Sequence, residues 1–178
     1  MALPTDASYV LACHLEDRTA VDRMRQLRGI DEKHLLTLLC RDLSELSQYA
    51  QVDNRQFRFL KEWTPGAYTF ILPATREVPR RLMHPSRKTV GLRVPEAPIV
   101  QALLAELGVP LLCASLILPG DEDPLSDPDD IQDRIGKRID LLVDGGAGQL
   151  EATSVIDVTG DEPVIQRVGM GPVEAMLR

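Results

Sequence analysis

Arg93 is the one charged side chain in Thr89-Val90-Gly91-Leu92-Arg93-Val94-Pro95, a short apolar run that reads as a strand. A guanidinium is a planar fork of donors, and on a strand it suits two-point recognition of a carboxylate. The same side chain would serve equally as one half of an ion pair with a surface acid. Just upstream lie Arg76, Arg80, Arg81, Arg87 and Lys88, against a single acid, Glu77. The whole chain has a formal net charge of -7, so this island reverses the local sign and points to an anionic ligand. That balance excludes a protein that coats nucleic acid non-specifically, because phosphate binding depends on Lys and Arg. Any anion site is confined and directional.

The common templates fail. There is no Gly-x-x-x-x-Gly-Lys-Ser/Thr loop, no Gly-x-Gly-x-x-Gly after a strand, no His-Glu-x-x-His and no Gly-x-Ser-x-Gly elbow. His14, His34 and His84 are isolated in sequence and receive no role. Cys13, Cys40 and Cys113 lack Cys-x-x-Cys spacing, which indicates neither a disulfide framework nor a zinc site and fits a reducing cytoplasm. The acids between Asp121 and Asp133 are out of register for a calcium loop, so that segment reads as a solvated loop and no metal site is assigned.

These residues need elements to hold them. At 178 residues and 44% hydrophobic, the chain has the size and composition of one globular domain spanning 1–178. No apolar stretch reaches the ~18 residues of a membrane helix. Strands are expected at Tyr9 to Cys13, Leu35 to Cys40, Ala67 to Leu72, Val90 to Val94, Leu111 to Leu118, Ile139 to Val143, Ser154 to Val158 and Pro163 to Val168. Helices are expected at Asp17 to Arg28, after Asp42, at Asp53 to Trp63, at Pro98 to Leu107 and near Ile131 to Ile135. Strands interleaved with helices predict a mixed α/β sheet with flanking helices. The front is short. Pro4-Thr5-Asp6 follows Met1 almost directly, so the strand that would deliver this turn is expected to be missing, with Leu3 unable to supply it and an open sheet edge prone to association, as in a homo-oligomer.

Several of these segments form an ordered series. It runs Pro4-Thr5-Asp6, Arg28, Thr64-Pro65-Gly66-Ala67-Tyr68-Thr69, Val90-Gly91-Leu92-Arg93-Val94-Pro95, Gly108-Val109-Pro110 with Ser115, Thr153-Ser154-Val155-Ile156-Asp157 and Arg167-Val168-Gly169. Together they resemble the YrdC-like family. Cys40-Arg41-Asp42-Leu43-Ser44-Glu45-Leu46 and Glu77-Val78-Pro79-Arg80-Arg81-Leu82 are similar to its YciO branch. The resemblance runs over essentially the whole chain and fails at the front, where the first strand and helix are wanting.

The resemblance implies a twisted mixed sheet with a concave basic surface. In the catalytic branches it implies synthesis of L-threonylcarbamoyladenylate from L-threonine, bicarbonate and ATP, with Mg2+, for the threonylcarbamoyladenosine modification of tRNA. By position, Arg93 matches the arginine that holds the threonine carboxylate, with Thr5 and Thr153 lining the same pocket. Arg28, Thr89, Ser115 and Arg167 match nucleotide contacts, and Arg28 and Arg93 are the catalytic candidates. Arg76, Arg80, Arg81, Arg87 and Lys88 form a candidate rim for double-stranded RNA or tRNA.

Two departures from the family pattern bear on catalysis. Where the catalytic branches carry Lys-x-Arg-Pro, this chain has Arg28-Gly29-Ile30-Asp31, and where they carry Ser-Ala-Asn it has Ser115-Leu116-Ile117. Losing a charge-assisted phosphate contact and an oriented amide removes about 2 to 4 kcal/mol of transition-state stabilisation each. The resulting expectation is a cytoplasmic YciO-type protein that binds nucleotide, double-stranded RNA or both, with synthase activity in question. One alternative is a working synthase that recruits Arg25 or Lys33. The other is a non-catalytic association module.

Overall fold

The computed structural model describes residues 1–177. Eight strands form one mixed sheet in the order β1-β2-β6-β3-β5-β4-β7-β8. They are β1 Ala2–Leu3, β2 Val10–His14, β3 Thr37–Leu39, β4 Tyr68–Pro73, β5 Thr89–Arg93, β6 Leu111–Ser115, β7 Ser154–Asp157 and β8 Val164–Arg167. β3 with β5 and β4 with β7 run parallel, and the remaining neighbours are antiparallel. Five helices complete the layers: α1 Arg18–Arg28, α2 Leu43–Tyr49, α3 Asn54–Trp63, α4 Pro98–Leu107 and α5 Pro128–Ile135. None of them is long and apolar enough to cross a membrane.

Local chemistry explains the helix ends. The side chains of Asp17, Asp42 and Asp53 each accept a hydrogen bond from a first-turn amide, and Asp53 with Gln56 forms a reciprocal capping box. Pro98 opens α4, and Gly108, in the left-handed region at φ 68, closes it. Trp63 and Tyr68 pack edge-on at 5.9 Å in the corner between α3 and β4, so they belong to the core.

The two faces of the sheet are covered unequally, and this positions the site. Alternation sends Leu11, Leu38, Phe70, Val90, Leu92 and Leu112 to one face, where they join Val21, Met24 and Leu27 of α1, Leu46 of α2, Leu60 of α3 and Ile131 of α5 in the main core. The opposite parity sends Val10, Ala12, Leu39, Leu111 and Cys113 to the other face, where Val100 and Leu104 of α4 pack against them together with Leu3 and Ala97. The rest of that face carries Thr37, Thr69, Gly91, Arg93 and Ser115, by the same alternation. A polar half-face is left beside a single helix.

The front of the chain differs from the expectation. Ala2 and Leu3 do form a strand, paired with Leu11 and Val10, and both are fully buried. The outer side of β1 is not open either, since the Ala2 amide donates to the Leu141 carbonyl and the Val143 amide donates to the Ala2 carbonyl, both at 2.9 Å. The strand expected at Ile139 to Val143 is instead this single bridge at Leu142, because a partner two residues long offers no longer ladder. These contacts cover the edge that was expected to drive association.

Gly91 lets β3 approach β5 closely. A Cβ there would lie 2.8 Å from Thr37 Oγ1 and 3.2 Å from the Leu36 carbonyl oxygen. Gly91→Ala is therefore expected to destabilise the protein by about 1–3 kcal/mol, read as a lowered urea midpoint with an unchanged m-value. The buried thiols supply a second expectation. Burial pushes Cys13 up to about 11 and Cys113 up to about 12, so both stay protonated in the folded chain while their unfolded counterparts ionise near pH 9. Their contribution to stability is complete below pH 9 and is lost as pH rises toward about 12, so Tm should fall over that window.

Candidate functional site

The polar half-face closes into a small cavity bordered by Arg28, His34, Arg93, Ser115, Thr153 and Arg167, with Thr37 and Thr69 in its wall. Its volume of about 80 Å³ suits a phosphate-sized group. Among the described residues no carboxylate lines it. A larger cleft, about 530 Å³, lies between Arg41–Leu43, Thr64–Pro65 and Val94–Pro98. Its charged residues, Arg41, Asp42, Lys61 and Glu96, are of both signs, whereas those of the smaller cavity are all cationic, so the smaller cavity is the better candidate for an anion.

Each arginine is held by a fixed acceptor. Arg28, the last residue of α1, donates to the Ile117 carbonyl at 2.5 Å, and its Nε is buried without a partner. Arg167, at the end of β8, donates from Nε and Nη2 to the Thr153 carbonyl at 3.1 and 2.8 Å. Arg93, at the end of β5, is 3% exposed; its Nη2 donates to Thr5 Oγ1 at 3.1 Å and to the Asp6 carboxylate. Its Nε is also buried without a partner. The second Asp6 oxygen accepts from the Glu96 amide at 2.9 Å, which locks the pair.

Charge divides the cavity into two ends. Burial, and then the neighbouring Arg167, lowers the pKa of Arg28, and burial lowers that of Arg167. Asp6 balances Arg93. One end is thus a neutralised fork beside hydroxyls, while the other holds two guanidiniums with no carboxylate between them. The first suits the carboxylate of a zwitterion and the second suits phosphate. Thr69 Oγ1 and Thr153 Oγ1 share a hydrogen bond of 2.7 Å in the wall between.

The structure brings together Arg28, Arg93, Ser115, Thr153 and Arg167 and rearranges the other candidates. Thr5 does not line the cavity. Its hydroxyl donates to the Ser8 carbonyl at 2.7 Å and accepts from the Ala7 amide at 3.0 Å, so it is a turn residue that positions Arg93. Thr89 shares the face of Arg93 but sits at the far end of β5, roughly 13 Å away at the rise of a strand, and does not line the cavity. The pairing expected of Arg93 exists, with the turn acid Asp6 inside the fold instead of a surface acid.

The basic rim is not one surface. Arg76, Arg80, Arg87 and Lys88 are exposed, whereas Arg81 turns inward and donates to the Leu15 carbonyl at 3.1 Å. Arg25 is held on the Asp31 carbonyl and Lys33 is exposed; neither lines the cavity. Ile117, standing where the family pattern has an amide, meets Arg28 through its main-chain carbonyl, so that contact survives the change of side chain. Sequence reasoning missed Asp6, His34, Thr37 and Thr69. Thr37 and Thr69 were visible as lone hydroxyls in apolar strands, but His34 carried no local signal beyond lying in the loop that follows Arg28.

The family model for the Sua5, YciO and YrdC proteins, described as telomere recombination, matches residues 1–169. The chain belongs to this family. It is 52% identical over 174 residues to the uncharacterized protein YciO of Escherichia coli K12, covering 98% of this chain and 84% of that one. The crystal structure of Escherichia coli YciO superposes with a TM-score of 0.94 at 51% identity, over 98% of this chain and 85% of that chain. A threonylcarbamoyl-AMP synthase of Serratia proteamaculans is 29% identical over 170 residues, 93% of this chain and 88% of that one. The crystal structure of Pyrococcus abyssi Sua5 complexed with L-threonine has a TM-score of 0.88 at 26% identity, over 98% of this chain and 52% of that longer chain. The expected twisted mixed α/β sheet matches these folds.

The buried pair sets a stability test. Arg93→Ala leaves Asp6 without its guanidinium and is expected to cost about 3–5 kcal/mol, whereas the Asp6→Ala/Arg93→Ala double variant recovers about 1 kcal/mol or more in urea unfolding. Additive losses would mean that the two side chains are not coupled.

Proposed function

We propose that the cavity binds the polyphosphate of a nucleotide between Arg28 and Arg167 and the carboxylate of a small amino acid at Arg93, so that the two reactants of threonylcarbamoyl-adenylate synthesis meet at one place. The observation that carries this reading is the convergence of three arginines in a cavity without a carboxylate, one of them neutralised and two not. The threonylcarbamoyl-AMP synthase relative and the L-threonine complex of Sua5 support it. Arg93 holds the carboxylate in register while Thr69 and Thr153 offer hydroxyls beside it. Arg28 and Arg167 stabilise the charge that spreads over the phosphate as a threonine-derived carbamate attacks.

A protein-held magnesium ion does not fit the lining, which offers no carboxylate, and among the described residues no cluster of three metal-ligating side chains occurs. Magnesium would accompany the nucleotide, and no step depends on a metal held by the chain. Without the amide at position 117 and a second basic residue after Arg28, turnover is slow relative to binding.

The test is threonine-dependent pyrophosphate release from MgATP and bicarbonate. The wild type should show a slow but threonine-dependent signal, abolished in Arg93→Ala, while Arg28→Ala and Arg167→Ala should each weaken ATP binding at least tenfold. Ile117→Asn, which restores an amide and leaves the carbonyl that holds Arg28, should raise the rate by roughly 10-fold or more. No threonine dependence in any of these proteins would sink the synthase reading.

A second reading is an RNA-contacting rim, favoured by the four exposed cations Arg76, Arg80, Arg87 and Lys88, none in an ion pair among the described residues. If it holds, duplex RNA affinity falls steeply with salt, and neutralising all four flattens the slope.

A further inference from the structure

His34 belongs to the cavity but to neither of its obvious tasks. The ring stands at the mouth, exposed as a residue yet lining the same cavity as Arg28 and Arg167. Its loop is built to keep it there. The His34 amide donates to the Asp31 carbonyl at 3.3 Å, Arg25 grips that same carbonyl at 2.5 Å, and the Lys33 amide donates to the Asp31 carboxylate at 2.9 Å. The Asp31 carboxylate is therefore committed to its own turn.

We propose that His34 is the third cationic contact for a bound polyphosphate, neutral in the empty protein and protonated when the ligand arrives. This rests on the nucleotide reading of the cavity. The charged groups around the ring are Arg25 and Arg28 of α1, Arg167 of β8 and, in its own loop, Asp31 and Lys33, while the neighbouring Thr37 and Ser115 are neutral. Desolvation against the cavity wall, followed by Arg28, Arg25 and Arg167, lowers the histidine pKa from its usual value, and Asp31 opposes them. In the empty cavity a third positive charge is unfavourable. A phosphate chain placed between Arg28 and Arg167 reverses the sign of the local field, and the ring takes a proton from solvent and donates it in a hydrogen bond to a phosphate oxygen. No covalent bond forms or breaks.

The sign follows from linkage. A group that binds a proton more tightly in the complex than in the free protein makes binding tighter as pH falls between the two pKa values. The nucleotide affinity should therefore rise toward acid pH, at the same time as the empty protein loses some stability below the ordinary histidine range.

The experiment is a calorimetric titration with MgATP, at pH 6 and pH 8 and in buffers of different ionisation enthalpy, on wild type and His34→Gln. The exposed position of His34 allows the variant to fold, which an unchanged Tm would verify. The ligand's own ionisation is common to both proteins and drops out of the difference. The wild type should take up a fraction of a proton beyond that of His34→Gln, and its affinity relative to the variant should improve by about tenfold from pH 8 to pH 6. In the imidazole proton NMR spectrum the His34 resonance should titrate at higher pH with MgATP present. Equal proton uptake and equal pH dependence in the two proteins, with MgATP bound by both, would overturn the role of His34 and leave the nucleotide site standing. Failure of the wild type to bind MgATP at either pH would overturn the nucleotide reading and the histidine with it.

Discussion

Three guanidiniums share one small cavity without a carboxylate in its wall, and the surrounding fold is organised around holding them there. Charges of one sign brought together out of water repel, so each needs a partner that fixes its direction. Arg93 has the turn acid Asp6, itself locked by the Glu96 amide. Arg28 and Arg167 have only main-chain carbonyls, which orient a guanidinium without cancelling its charge. That difference makes one end of the cavity neutral and leaves the other able to attract an anion.

The sheet makes this arrangement possible by being covered unequally. Four helices bury one face, and α4 alone covers part of the other. A hydroxyl or a guanidinium pointing into the first face would be desolvated among leucines; on the second it meets a cavity. Strand parity therefore sorts cavity from core within the same five residues of β5: Val90 and Leu92 build the core, while Gly91 gives β3 room and Arg93 reaches the cavity. The departures from the family pattern fall at the phosphate end. They spare the end held by Arg93 and Asp6.

Local structure was largely legible. Aspartate caps at Asp17, Asp42 and Asp53, the proline and glycine that bracket α4, and the apolar runs of β2, β5 and β6 are signals carried by a few neighbouring residues. The errors came where a partner decided the outcome. Leu3 gave no strand signal, yet Ala2 and Leu3 pair with β2, because two buried residues between two ladders need no propensity of their own. The run at Ile139 to Val143 had the composition of a strand and found only a two-residue partner. Arg81 looked like the rest of its basic segment, and only its hydrogen bond to the Leu15 carbonyl shows that it turns inward.

By itself, the sequence determined most element types and the face each strand residue would take, and through its family resemblance it singled out Arg28, Arg93, Ser115, Thr153 and Arg167 as candidates. The tertiary structure alone decided that these five share a cavity, that Thr5 holds Arg93 from outside its lining, that Thr89 is left at the far end of its strand and that His34 stands at the mouth. The physical reason is range. Capping, turns and alternation act over a few residues, whereas the insertion of β5 between β3 and β4 and the return of β8 beside β7 bring distant side chains within hydrogen-bonding reach.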